Sequence, residues 1–335
     1  MTPPRQTTNI ETQYGEAEKQ QLLSALGLDI LELFHRDDVT EIFVRPHWTG
    51  FESLKDGFVQ TTFQTKPAMT TILRILMSIM GQNLSLASPI VQASLPIGPD
   101  GRRVRFSAIY AGAGGIDSLL TIRIPRTMVI PLDDSIATYG FTATQARHLR
   151  ESLQMPQGIM VSGGVGSGKT TFLRSLVAHI WETQKGNDHI VVVEDEPELG
   201  LDTLPFITSI EATPWLTFED ACKTALRQRP TRFVVGEVRG PEAQSATRVG
   251  AIGAGLYMSI HGETASLALG NFYARIRQAQ ELGSGQVDFA AISAAIRTIV
   301  ILRRTHRQGK TEFRCSEMAA IIGSSSTGLN LLPIE

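Results

Sequence analysis

Only two cysteines, Cys222 and Cys315, occur in 335 residues. That scarcity excludes a disulfide framework and a four-cysteine zinc site and suits a reducing compartment, with both thiols expected to be buried. Net charge is nearly absent as well: 31 Lys plus Arg face 33 Asp plus Glu, a formal charge of -2. No overall field therefore favours nucleic acid or an anionic membrane, and no direct sequence-specific nucleic-acid binding is expected. Long apolar runs are missing. The most apolar late segment, DFAAISAAIRTIVILRR, is interrupted by Arg297 and falls short of the roughly 20 apolar residues of a spanning helix. The opening MTPPRQTTNIETQYGEAEK lacks the basic-then-apolar order of a secretory leader, and residues 1–14 read as a flexible tail. Internal repeats and long low-complexity segments are also lacking. What remains is the 42% hydrophobic, 19% charged composition of a globular chain long enough for two domains.

Two patterns of periodicity divide the chain. From Gly15 to Arg36, Leu22, Leu23, Leu26, Leu31 and Leu33 recur at helical spacing up to the breaker Asp37-Asp38, which predicts a helix. TEIFV, FESLK and FVQTTF read as strands, the last two joined by a hairpin at Asp56-Gly57. MTTILRILMSIMG returns to helical period, VQASLPI and RRVRFSAIY flank Gly98-Pro99-Asp100-Gly101 as a second hairpin, and LLTIRIP follows AGAGG as a further strand. Residues 15–125 are thus expected to form an α+β domain of antiparallel hairpins with a few helices. RTMVIPLDDS predicts a linker over 126–140. Beyond it, GIMVS, HIVVVED, FITSIEA, RFVVGEV and LYMSIHG alternate with helical segments 169–182, 217–229, 241–252 and 264–280. That alternation predicts an α/β domain over 141–335 with a mainly parallel sheet, whose ligands lie beyond the carboxyl ends of the strands.

Gly163, Gly164, Val165, Gly166, Ser167, Gly168, Lys169, Thr170 and Thr171 satisfy the phosphate-loop pattern between a predicted strand and a predicted helix, the context that gives the pattern its meaning. Glycines let successive backbone N–H groups converge on phosphate oxygens, and the helix N-terminus adds partial positive charge. Lys169 reaches the terminal phosphates, and the Thr170 hydroxyl suits Mg²⁺. Hydrolysis needs more: a carboxylate to orient water and another to help hold the metal. Glu194, Asp195 and Glu196 close one predicted strand and Glu237 closes another, both at the edge where parallel sheets present ligands. Where many nucleotidases carry a metal-binding Asp beside that last acid, this chain has Gly236.

In the order GGVGSGKTT, VVVEDEPEL, ALRQRPTRFVVGEVRGPEA and YMSIHGETA, these segments resemble the phosphate loop, acidic box, second acidic motif and histidine box of the secretion traffic ATPases. EDEPEL and LRQRP with GEVRGPEA most resemble the branch serving type IV secretion and plasmid conjugation. VTEIFVRP, ASLPIGPDGRRVRF and LLTIRIPR resemble that family's first domain, so the likeness runs from residue 20 to residue 320. It implies a RecA-like P-loop ATPase domain, Mg²⁺-dependent ATP hydrolysis and a homohexameric ring. It also implies inner-membrane partners in a secretion or conjugation apparatus and a cytoplasmic place, peripheral to that membrane. By motif position Glu194 would polarise the attacking water and Glu237 act through a metal-bound water, although the residues themselves leave the two acids interchangeable. Thr170, Glu194, Asp195 and Glu237 form the implied metal set, and His261 would sense the terminal phosphate. Arg103 and Arg123 of the first domain, with Arg227 and Arg239 of the second, would neutralise developing charge; Arg102 and Arg105 stand one register away from Arg103. The family's earlier histidine is replaced here within Ile252-Gly253-Ala254. Within the same superfamily a type IV pilus or type II secretion motor is the alternative, the latter weakened by the absence of paired CxxC sequences. From another class comes a non-hydrolysing nucleotide-dependent docking switch.

Overall fold

Gly27, at φ 83°, divides what the leucine periodicity predicts as one helix, because the left-handed backbone it adopts cannot continue a right-handed helix. In the computed structural model, which describes residues 16–64, 67–79, 81, 89–101, 103–110, 118–125, 128–195, 197–201, 204–213, 215–281, 287–307 and 310–335, α1 (Glu16–Leu26) and α2 (Leu28–Phe34) are therefore separate. The expected tail 1–14, the AGAGG segment, Arg102, Glu196 and the start of the expected linker lie outside the described residues.

The chain divides into two compact units, Met1–Arg126 and Thr127–Glu335. In the first, β1 (Val39–Val44), β2 (Thr49–Ser53), β3 (Gly57–Thr61), α3 (Met69–Ile79), β4 (Ile90–Leu95), β5 (Val104–Ile109) and β6 (Leu119–Arg123) follow the two helices. The strands form one sheet in the order β3-β2-β1-β6-β5-β4, every pair antiparallel. Alternation sets its two faces: Val104, Phe106 and Ala108 of β5 are buried, whereas Arg105 and Ser107 between them are not. Ile72, Leu73 and Leu76 of α3 and Leu22, Leu26 and Ile30 of the first helices share one core with Ile42, Phe106, Leu120 and Ile122.

The second unit opens with α4 (Leu132–Thr138) and α5 (Ala143–Gln154). Helix α4 corrects the expected linker: Leu132, Ile136 and Tyr139 are buried in this unit's core, so the prolines and acids of RTMVIPLDDS lead into a packed helix. Pro131 precedes its first residue, and Asp133 and Asp134 occupy its first turn, where acids suit the helix dipole. Next come β7 (Gly158–Gly163), α6 (Lys169–Gln184), β8 (Ile190–Glu194), β9 (Ile207–Glu211), α7 (Phe218–Arg227), β10 (Arg232–Val235), α8 (Glu242–Val249), a π-turn (Gly250–Ala254) and β11 (Leu256–His261). α9 (Ala265–Glu281), α10 (Phe289–Ala295), β12 (Ile296–Arg307), β13 (Lys310–Ser324) and β14 (Leu329–Pro333) complete it. The late apolar segment thus supplies α10 and β12, a hairpin partner that helical and strand periodicity did not separate.

Eight strands run in the order β14-β13-β12-β7-β11-β10-β8-β9. From β12 to β9 every pairing is parallel, and β13 and β14 add an antiparallel margin. Helices cover both faces, so β7 and β8 are buried along their whole length, as the continuous apolar runs require. One core gathers α4, α5 and α6, the other α7 to α10. Cys222 lies buried in the second, while Cys315 is half-buried, contrary to the expectation of two buried thiols.

Candidate functional site

β7 ends at Gly163, and the chain turns through Gly164–Gly168 into α6. Two glycines are needed here for stated reasons. Gly166 adopts φ 71°, and a Cβ on it would stand 2.9 Å from Arg304 Nη1. Gly168 caps α6 at φ 85°, and a Cβ there would fall 2.0 Å from the Tyr139 hydroxyl. That hydroxyl donates to the carbonyls of Ser167 (3.3 Å) and Gly168 (3.2 Å), while Ser167 Oγ donates to the Gly164 carbonyl at 2.9 Å. The loop is therefore held from beneath by side chains, leaving exposed Val165 and the first amides of α6 at its outer side. Thr170 and Thr171, in the first turn of α6, are half-buried.

Lys169 is buried and its Nζ donates to the carbonyls of Gly163 (3.2 Å) and Gly164 (3.0 Å). It also lies 3.3 Å from His261 Nδ1, and His261 Nε2 is 2.9 Å from Glu237 Oε1. Glu237 Oε2 in turn accepts from Arg239 Nη2 at 2.6 Å, and Arg239 Nη1 pairs with Asp195 Oδ2 at 2.6 Å. Lys169, His261, Glu237, Arg239 and Asp195 thus make one continuous line of contacts across the carboxyl ends of β7, β11, β10 and β8. If Nδ1 accepts from the lysine, the imidazole is neutral and its proton sits on Nε2, facing the carboxylate.

Glu194 is placed differently. It is 5% exposed, and its Oε1 accepts the amides of Glu198 (3.0 Å) and Leu199 (3.1 Å). Burial pushes its carboxyl up to about 7, against the opposing pull of those two amides. Its side chain crosses the place where a larger residue 236 would be: a Cβ on Gly236 would meet Glu194 Oε1 at 2.8 Å and Cγ at 2.9 Å. The glycine that departs from the usual acidic pair is what makes room for this carboxylate. Arg174, itself buried, fixes the loop that holds Glu194 by donating to the carbonyls of Leu199 (2.7 Å) and Glu198.

Other expected residues lie apart from this line. Arg227 is exposed in the last turn of α7, ahead of β10; because β10 parallels β7, that is the sheet edge opposite the loop. Within one chain it does not join the cluster. Arg103 and Arg123 belong to the first unit, where Arg103 donates to Ser94 Oγ (3.2 Å) and to the Ser94 carbonyl (3.0 Å). Arg123 is exposed on β6, opposite Arg105 on one side and Glu41 on the other. At the position of the family's earlier histidine, Ala254 is buried in the core and Ile252 is exposed on the π-turn. Among the described residues no three His, Cys, Asp or Glu side chains converge as a set for a metal ion. Of the implied metal set, Glu194 is turned to backbone amides and Asp195 and Glu237 are paired with Arg239, while Thr170 stands half-buried in the first turn of α6. Tyr139, Arg174 and Arg304 were not singled out by the sequence; the first came closest, standing in a segment read as linker.

A phosphate loop at the end of a central parallel strand, with acids at the ends of β8 and β10, defines a P-loop nucleotide site. The model of the type II/IV secretion system protein family matches residues 94–320, and the chain belongs to that family. The conjugal transfer protein TrbB of Rhizobium radiobacter is 28% identical over 288 residues, 85% of this chain and 86% of that protein. The type IV secretion system protein PtlH of Bordetella pertussis is 32% identical over 209 residues, 54% of this chain and 59% of its own length. Among solved structures, the Legionella pneumophila ATPase DotB shares the fold with a TM-score of 0.62 at 17% identity, over 92% of this chain and 81% of that one. The pilus retraction motor PilT with bound ADP gives 0.58 at 18% identity, over 90% and 85%. Among the described residues no helix is long and apolar enough to cross a membrane.

Proposed function

We propose that this chain is a Mg²⁺-dependent ATPase that drives type IV secretion or conjugal transfer as a homohexameric ring at the cytoplasmic face of the inner membrane. The observation that carries the reading is the contact line from Lys169 through His261 and Glu237 to Arg239 and Asp195. It ties the group that reaches the terminal phosphate to both acidic strand ends. Kinship with TrbB and PtlH supports the choice of machine.

Each residue then has a task. Loop amides and the α6 N-terminus hold the phosphates, and Lys169 exchanges its loop carbonyls for phosphate oxygens. The Thr170 hydroxyl would hold Mg²⁺, which would supply charge withdrawal from the phosphoryl oxygens. Glu194 takes the proton of the attacking water: its affinity lies near neutral pH, where a general base is most effective, and its Oε2 makes only a 3.4 Å contact with an amide. Glu237, with one oxygen on His261 and the other on Arg239, positions these groups instead. Asp195 holds Arg239, and His261 reports the presence of the terminal phosphate to Glu237. Arg103, Arg123 and Arg227 are proposed to act on developing charge when domains or neighbouring subunits close, an arrangement worth about 10³-fold or more in related chemistry. The proposed moving parts are the first unit, Met1–Arg126, and the second, Thr127–Glu335, with α4 packed into its core.

Turnover of ATP by the purified chain tests this. Lys169→Ala should abolish binding, while Glu194→Gln should keep ATP bound and lower kcat about 10²- to 10⁴-fold. Tight ATP binding with no turnover in the assembled ring would replace the motor by a nucleotide-dependent docking switch.

A further inference from the structure

The β12–β13 hairpin carries a second charged site that the phosphate loop does not use. Arg303 and Arg314 are directly opposed in its register, and like charges facing one another across strands are unfavourable unless an opposite charge answers them. Both line a cavity of about 250 Å³ together with Glu263, Thr264, Ser316 and Glu317. Arg303 Nη2 reaches the Glu263 carbonyl at 3.4 Å, while its Nε is buried with no hydrogen-bond partner, and an orphaned donor bears the full cost of its lost hydration. Of the two acids in the wall, Glu317 is committed through Oε2 to the Ala265 amide, 2.9 Å away at the start of α9. Glu263 borders the phosphate loop: a Cβ on Gly164 would stand 3.8 Å from its Oε1. The cavity therefore adjoins the end of the loop whose carbonyls hold Lys169.

A purely anionic ligand would meet two carboxylates here, and a cationic one two guanidinium groups. Dihydrogen phosphate answers both, since its bare oxygens accept from arginine in a bidentate fork and its hydroxyls donate to a carboxylate. We infer that this cavity receives inorganic phosphate as it leaves the loop, so that Arg303, Arg314 and Glu263 form an exit station for the product. The assignment to product rests on the ATPase reading above; the binding site itself does not.

Titration of inorganic phosphate into the full chain, followed by calorimetry and ³¹P NMR, separates the two. Lys169→Ala removes phosphate held by the loop and should leave one phosphate bound. Adding Arg303→Gln and Arg314→Gln should weaken that remaining site at least about tenfold, the effect of losing charge-assisted hydrogen bonds, and Arg314→Lys should recover part of it. With Lys169 intact, the double Gln variant should retain wild-type ATP affinity, which also shows that it folds. A fluorescent phosphate sensor should then report a changed interval between cleavage and phosphate release with the cleavage rate unaltered. Phosphate binding by Lys169→Ala that is absent, or indifferent to the two arginines, overturns the site. An unchanged release interval overturns its role as an exit. Failure of the wild-type chain to bind ATP would sink the ATPase reading alone.

Discussion

Two arginine–aspartate pairs bridge the same two strands at opposite ends. Asp188 stands just before β8 and Asp195 just after it; Arg232 begins β10 and Arg239 lies beyond its end. At the amino-terminal edge Arg232 Nε pairs with Asp188 at 2.8 Å, and the two side chains are 2% and 13% exposed. Arg232 Nη1 also donates to the Tyr257 hydroxyl (2.6 Å) and the Met155 carbonyl. At the carboxyl edge the Arg239–Asp195 pair is 53% and 39% exposed. Equivalent chemistry is thus walled in at one edge and left open to solvent at the other. The first is enclosed by its neighbours and serves as architecture; the second stands open to solvent beside the phosphate loop.

The contrast can be broken most forcefully at Arg232. Arg232→Ala strands Asp188 and the Tyr257 hydroxyl, and stability measured by urea unfolding should fall by about 3–5 kcal/mol. Next in size is Glu194→Gln. Because burial raises this carboxyl from 4.5 to about 7, the folded state resists its ionisation. Its contribution to stability is fully present below pH 4.5 and lost as pH rises through 7, a swing of about 3 kcal/mol. The Gln variant should remove that slope and unfold at a higher urea concentration at pH 8; an unchanged slope would mean that Glu194 is solvated. Tyr139→Phe deletes the hydroxyl beneath the loop and should cost about 0.5–1.5 kcal/mol, with weaker ATP binding by the same calorimetry. Smallest in stability is Arg239→Ala, below about 1 kcal/mol because the pair is exposed. Its turnover should nonetheless fall at least about tenfold, and equal stability losses at Arg232 and Arg239 would erase the distinction between the two edges.

The carboxyl edge was the more legible of the two. Glycines, Lys169 and the acids of VVVEDE and VVGE announce themselves because local spacing alone puts them at strand ends. Strand periodicity likewise located β7, β8, β9 and β11 to within a residue at either end, while β10 ends at Val235, three residues before the end of RFVVGEV. Arg232 and Asp188 left no local sign, since their pairing depends on β8 lying beside β10. Tyr139 was hidden for a similar reason: nothing in PLDDSIATYG shows that the chain folds back under Gly168. Motif order likewise carries no information about which edge a helix end occupies, so the place of Arg227 at the edge opposite the loop was not legible. Glu194 and Gly236 show the same limit in reverse, the glycine reading as a lost acid until the carboxylate lying across it comes into view.

Lys169 already has company before any fuel arrives, since its ammonium rests on the loop's own oxygens. An anion entering the loop would consequently trade places with these oxygens, and its departure would strand no bare cation. A grip with its own resting place gives up some tightness for ready release.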